Sequence, residues 1–221
     1  MRLVVVADIH GNIDKFRKAL KEVSLKKTDI LVLLGDVIDR GNNSKDVLDT
    51  ILLLKENGFD NIIIIRGNHE QMLLDAFENE NEEYTWIKNG GDKTLLSFRV
   101  NFCNQIPLKY IKLIKSSKFY YENGDYIFVH AGLNLDVESP LEDIKSLLWI
   151  REMSVEKYRT STFSSKKLIH GHTPISREEI LKNFNVNKIE ILNIDNGIYL
   201  KNEDFGKLTI ADLTNHKIYF I

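Results

Sequence analysis

The sequence predicts an α/β domain in which a parallel sheet is joined by a second, partly antiparallel sheet. Three observations carry that expectation. Short β-branched runs alternate with helical periodicity through the first seventy residues. Each of these early runs ends abruptly in a loop rich in Gly, Asp, Asn and His. After Lys118 the helical pattern gives way to strand-length apolar runs separated by short turns.

The elements follow in order. Leu3 to Ala7 is a buried strand, broken at Asp8-Ile9-His10-Gly11-Asn12. Ile13, Phe16, Leu20 and Val23 recur at three- and four-residue steps between Lys15, Lys18, Lys21 and Glu22, which describes one apolar stripe on a helix with Asn12 as its N-cap. Ile30 to Leu34 is a second strand ending in Gly35-Asp36, Val47 to Leu54 a helix closing near Gly58, and Ile62 to Ile65 a third strand. Strand, helix, strand, helix, strand implies parallel pairing through right-handed crossovers. Residues 71 to 117 are acidic around Glu78 to Glu83 and helical through Ile106 to Ile114, so they read as helical packing or a cap. Phe119 to Tyr121 and Tyr126 to His130 flank an Asn123-Gly124 turn and form a hairpin. Lys167 to Ile169, Ile189 to Ile194, Leu208 to Leu213 and Lys217 to Phe220 extend this second sheet. No repeat, low-complexity tract or Pro-rich linker divides the chain, so residues 1–221 are read as a single domain.

Composition bounds the function. With 43% hydrophobic and 28% charged residues the chain can close a core, which excludes disorder and fibre. A formal charge of -2 is unlike that of a general binder of nucleic-acid polymers, so an anionic substrate needs a local positive site. The single cysteine, Cys103, offers neither an intramolecular disulfide nor a thiolate metal pair. The opening apolar run is too short for a signal-peptide core, and no stretch approaches the roughly 20 residues of a membrane span. A soluble protein of a reducing, cytoplasmic compartment with no membrane partner is expected. Oligomeric state has no signal in the sequence.

Five of the six histidines, His10, His69, His130, His170 and His172, fall at strand ends or in adjoining loops, each close to Asp, Asn or Gly. Taken one at a time, each has an ordinary structural reading: Asp8-x-His10 as a turn, Asn68 as a helix cap, His130 as a hydrogen-bonded core histidine. Taken together they do not, because ligands of open α/β sheets sit beyond the carboxyl ends of the strands and these loops converge there. Imidazole and carboxylate donors without a thiolate suit divalent manganese, iron or zinc.

Asp8-Ile9-His10-Gly11, Gly35-Asp36-Val37-Ile38-Asp39-Arg40-Gly41, Arg66-Gly67-Asn68-His69-Glu70, His130-Ala131-Gly132 and Gly171-His172-Thr173 together resemble the ordered signatures of the phosphoprotein-phosphatase family of metallophosphoesterases, in its compact bacterial and phage branch. The resemblance implies a calcineurin-like four-layer αββα sandwich holding two divalent metal ions, manganese first and iron or zinc as alternatives. It makes Asp8 and His10 ligands of one ion, Asp36 the carboxylate bridging both, and Asn68, His130 and His172 ligands of the other. Hydroxide bound by the two ions then attacks phosphorus in line. His69 is the implied general acid, oriented by Asp39, while Arg40, Arg151 and Asn68 contact the substrate phosphate. The implied activity is phosphomonoester hydrolysis, on serine/threonine phosphoproteins with phosphotyrosine as a further substrate, or on another small phosphorylated compound. A symmetrical bis(5'-nucleosyl)-tetraphosphate hydrolase is the alternative on the same site, and a catalytically dead binding module is a third reading that the complete ligand set disfavours.

Lesser features have weaker readings. Arg66 is structural and His170 hydrogen-bonds behind the ligands. Asn89-Gly90-Gly91 is a flexible turn and His216 is solvated. Asp195, in Asn193-Ile194-Asp195-Asn196-Gly197, divides evenly between a structural and a substrate-proximal role.

Overall fold

The computed structural model describes residues 1–186 and 189–221. In its first half, β1 (Leu3–Val6), α1 (Ile13–Glu22), β2 (Ile30–Leu33), α2 (Ser44–Glu56), β3 (Ile62–Ile64) and α3 (Asn68–Glu78) alternate as the periodicity predicts. The segment read as helical packing contains α4 (Glu83–Trp86), α5 (Asp92–Phe98) and α6 (Leu108–Lys115) and no strand. There follow β4 (Tyr120–Asn123), β5 (Tyr126–Val129), α7 (Ile144–Trp149), α8 (Val155–Thr160), β6 (Lys167–His170), α9 (Arg177–Phe184), β7 (Ile191–Asn193), β8 (Thr209–Asp212) and β9 (Lys217–Phe220). The strand expected over Ile189 to Ile194 thus contracts to its centre. No helix among the described residues is long and apolar enough to cross a membrane.

The strands form two sheets, ordered β3-β2-β1-β8-β9 and β4-β5-β6-β7. Strands β1, β2 and β3 run parallel, as do β5, β6 and β7, while β8 runs antiparallel to β1 and β4 to β5. The terminal hairpin therefore completes the first sheet, where the sequence reading had it extend the second. Its side chains explain the choice: Ile210 enters the helix-facing core beside Val4 and Val6, and Ala211 enters the core between the sheets beside Val5.

Period-two alternation creates the layers. Val4, Val6, Leu31 and Leu33 face Phe16, Val47, Leu48, Leu73 and Trp86 on one side. Leu3, Val5, Ala7, Val32 and Leu34 face Phe128, Ile169 and Leu192 of the second sheet. The outer face of that sheet, Ile127, Val129 and Leu168, is closed by Leu147 of α7 and Tyr158 of α8. Helix, sheet, sheet, helix is the resulting stack. It brings the carboxyl ends of β1, β2, β3, β5, β6 and β7 to a common edge, because the parallel strands of each sheet end together.

Candidate functional site

Asp8 and His10 lie just beyond β1, Asp36, Asp39 and Arg40 beyond β2, Asn68 and His69 at the start of α3, His130 beyond β5 and His172 beyond β6. All nine come together, and all except Arg40 are buried. The loops approach closely: a Cβ on Gly67 would collide with the Asp36 carboxylate and backbone nitrogen, so glycine is required there. Among the described residues, eight that are not glycine have φ in the left-handed range, and five of these are His10, Asp36, Asp39, Arg40 and His172.

Backbone carbonyls set the imidazoles. His10 Nδ1 lies 3.0 Å from the Ile38 carbonyl oxygen and His130 Nδ1 lies 2.8 Å from that of Leu34. A carbonyl can only accept, so Nδ1 carries the proton on each ring and the Nε2 lone pair faces inward. Burial drives His10 well below its ordinary value and lowers His130. Burial, with the adjacent His130, pushes His172 down to about 3. These rings are neutral donors of lone pairs.

Asp36 sits between two groups of donors. His10, Asp36 and His69 form one, and Asp36, His130 and His172 the other. Asp36 Oδ2 is 3.5 Å from His10 Nε2, and Oδ1 is 3.5 Å from His130 Nε2. Burial opposes ionisation of Asp36, but the surrounding His130, His69, His10 and His172 hold it well below the usual carboxylate range. His130 Nε2 lies 3.0 Å from Asn68 Oδ1 and 3.1 Å from His172 Nδ1, and His172 Nε2 is buried with no hydrogen-bond partner. Asp8 accepts from the His172 backbone N–H at 3.2 Å and belongs to neither tight group; burial and the nearby Asp195 and Asp36 charges push it well up. Crowded carboxylates and converging lone pairs fit divalent cations, which neutralise the first and fill the second.

His69 differs from the other rings. Its Nδ1 meets Asp39 Oδ2 at 2.8 Å, and its Nε2, buried without a hydrogen-bond partner, lies 3.9 Å from Asp36 Oδ2. Burial alone would lower its pKa, but Asp36 and Asp39 outweigh that and raise it. Asp39 is held by three donors, since Trp86 Nε1 donates to Oδ2 at 2.8 Å and Thr94 Oγ1 to Oδ1 at 2.6 Å. Burial pushes the Asp39 carboxyl up, against the hydrogen bonds from His69, Thr94 and Trp86 that favour its charge. Arg40 is half-buried, donates from Nη1 to His10 Nε2 at 2.8 Å and stacks on Tyr199 at 4.1 Å. Arg151 is exposed, and its charge contributes to lowering His172.

Several groups escaped the sequence reading. Glu70 accepts from the backbone N–H groups of Asp36 at 2.7 Å, Val37 at 2.9 Å, Ile38 at 3.3 Å and Gly67 at 2.9 Å, tying two ligand loops together. Burial and the nearby Asp36 charge push Glu70 up to about 7. A Glu three residues after the helix boundary was a visible capping signal. Trp86, Thr94 and Tyr199 left none. The Asn89-Gly90-Gly91 segment is a turn held in place: it kinks the chain between α4 and α5 at Gly90, whose φ is 107°, the Gly90 carbonyl accepts from the Arg40 N–H at 3.1 Å, and Gly91 packs on Trp86. Asp195 is buried beside the site; Gly197 N–H donates to its Oδ1 at 2.7 Å and its Oδ2 has no hydrogen-bond partner.

His170 bonds the Gly171 carbonyl at 3.1 Å, and Arg66 spans Ser117, Gln71 and Lys115 as a brace. His216 is exposed but also stacks on Phe184, which solvation alone did not anticipate.

The chain matches the calcineurin-like phosphoesterase family over residues 1–200. It is 32% identical over 183 residues to serine/threonine-protein phosphatase 1 of Salmonella typhimurium, covering 78% of this chain and 79% of that protein. It is 42% identical over 133 residues to serine/threonine-protein phosphatase 2 of Escherichia coli, covering 58% of this chain and 56% of the relative. A symmetrical bis(5'-nucleosyl)-tetraphosphatase of Wigglesworthia glossinidia brevipalpis is 32% identical over 135 residues, 58% of this chain and 44% of that one. Among solved structures, a cold-active protein-tyrosine phosphatase of a psychrophilic Shewanella species superposes with a TM-score of 0.71 at 15% identity. That match covers 99% of this chain and 80% of the other, and it speaks to the fold.

Proposed function

This chain belongs to the calcineurin-like phosphoesterase family, within its phosphoprotein-phosphatase branch, and from that premise we propose that it removes phosphate from phosphoserine and phosphothreonine in proteins. The observation that carries the proposal is the buried His69–Asp39 couple, whose free Nε2 is aimed into the donor cluster. Departure of a serine or threonine alkoxide needs a proton, whereas a phosphate leaving an anhydride is already a stable anion. A dedicated, charge-supported imidazolium is therefore worth keeping for monoesters.

In this reading Asp8, His10 and Asp36 would hold one divalent ion, and Asp36, Asn68, His130 and His172 would hold the second, with manganese the proposed metal. When bound, the pair supplies charge neutralisation for the phosphoryl group and acidifies water at neutral pH. The chain's own residues do the rest. Arg40 and Arg151 fork the phosphate oxygens and Asn68 contacts them from the start of α3. Asp39, itself fixed by Trp86 and Thr94, keeps the Nδ1 proton of His69 in place so that Nε2 delivers its proton to the departing oxygen. Burial of the cluster removes competing water.

The likeness to a tetraphosphatase supports a second reading, dinucleotide hydrolysis on the same site. Metal-stripped protein restored with Mn²⁺ and given a phosphothreonine peptide and diadenosine tetraphosphate side by side separates the two. The expected outcome is a higher kcat/KM on the peptide, abolished by chelator. Preference for the dinucleotide overturns the proposal.

A further inference from the structure

Beside the His10 edge of the site lies a cavity of about 390 Å³ walled by His10, Asn12, Lys15, Arg40, Tyr199 and Lys201. Its charge is one-sided. Lys15 is half-buried, and its ammonium reaches only the Gly206 carbonyl; burial and the like charge of Lys207 lower its pKa. Among the described residues, none of Lys15, Arg40 and Lys201 is within ion-pair distance of a carboxylate. Arg40 feels the Asp8 and Asp195 carboxylates, and Tyr199 feels those of Asp195, Asp8 and Asp36, but none of these three lines the cavity. A concave surface with low-dielectric walls and unpaired cations concentrates anions.

Arg40 stands at the boundary. Its guanidinium rests on the Tyr199 ring at 4.1 Å, and that ring meets His10 edge-on at 5.1 Å. The stack fixes the plane of Arg40 between the donor cluster and the cavity. With the scissile phosphate on Arg40, the two lysines remain for something else.

We propose that this cavity is a second anion subsite. It takes a carboxylate carried by the substrate next to the phosphorylated residue, so the enzyme selects phosphopeptides with an acidic flank. The inference rests on the phosphoprotein reading above; the next phosphate of a nucleotide would offer the cavity the same chemistry.

The test uses Mn²⁺-loaded wild-type protein and the Lys15→Gln/Lys201→Gln double variant. Calorimetric affinities are measured for nonhydrolysable phosphonate analogues of a phosphothreonine peptide flanked by Glu and of the same peptide flanked by Gln, and for ADP and AMP. Turnover of the two hydrolysable peptides is measured separately, relative to p-nitrophenyl phosphate, which carries one anionic group. Wild type is expected to bind the Glu-flanked analogue about tenfold more tightly, the equivalent of roughly 1.4 kcal/mol. The double variant should lose that ratio. Peptide turnover should show the same preference, weakening as salt is raised. Lysine-dependent discrimination of ADP from AMP without discrimination between the peptides assigns the subsite to nucleotides and overturns the acidic-flank proposal. Lysine-dependent discrimination of the peptides without peptide turnover keeps the subsite and rejects the phosphoprotein reading. Equal affinities within both pairs, or a preference that survives the double substitution, overturns the subsite itself.

Discussion

Glu70 shows how much of a site can hang on one side chain that touches no substrate. Its carboxylate gathers four backbone N–H groups, three from the loop after β2 and one from Gly67. Glu70→Gln replaces an oxygen with an NH₂ that cannot accept, so at least one buried donor loses its partner at a cost of about 1–3 kcal/mol. For a chain of this length that amounts to a fall in Tm of roughly 2–4 °C per kcal/mol. Mn²⁺ affinity should fall too, since the Asp36 backbone loses its anchor. Scanning calorimetry and a Mn²⁺ titration check both, and a variant unchanged in either would remove Glu70 from this role. The proposed ligands were legible as residues because imidazole and carboxylate at strand ends announce themselves. Glu70 was legible only as a capping residue, because three of its donors lie more than thirty residues upstream and become its partners only when two loops close on each other.

At the scale of elements, α4 and α5 pass for packing in the sequence and serve as scaffolding for chemistry in the structure. Trp86 and Thr94 donate to Asp39, and Gly90 receives the Arg40 N–H between them. The helical character of the segment was legible from its periodicity, and its aim was not: which polar tip of a buried tryptophan finds which carboxylate depends on tertiary packing. Trp86→Phe keeps most of the ring and removes one donor to a buried carboxylate, costing about 1.5–3 kcal/mol of stability. Because Asp39 then orients His69 less firmly, turnover of an alkyl phosphate should drop about tenfold, consistent with the 10²–10⁴-fold usually supplied by general acid catalysis. Turnover of p-nitrophenyl phosphate, whose leaving group needs little help, should change far less. Equal losses on the two substrates would mean that the tryptophan supports the fold alone. The terminal hairpin carries a related lesson. Its strands were evident from alternation, but both cores accept an alternating strand, and only the open edge of β1 decides which sheet takes it.

The whole molecule is two sheets pressed together with helices outside, a stack foreseen from the order of its elements and completed by the resemblance of its motifs. Six strand ends deliver imidazole, amide and carboxylate groups to one edge, where His69 Nε2, His172 Nε2 and Asp195 Oδ2 have no hydrogen-bond partner, so divalent ions should stabilise the fold as well as activate it. At a free concentration one hundred times Kd, binding adds about 2.7 kcal/mol. Addition of Mn²⁺ to metal-stripped protein should therefore raise Tm by about 5–10 °C, with chelator reversing the rise. Asp36→Asn should abolish most of the rise; a full rise in that variant would refute the shared-ligand geometry. A different consequence follows from the left-handed backbone at His10, Asp36, Asp39, Arg40 and His172. Each holds a conformation that costs a non-glycine residue of order 1–2 kcal/mol. Glycine or asparagine at any of them would relax the chain while removing chemistry. Selection for thermal robustness and selection for turnover thus pull these five codons in opposite directions. A lineage that ceased to need the enzyme would shed them early, drifting toward a sturdier and silent descendant.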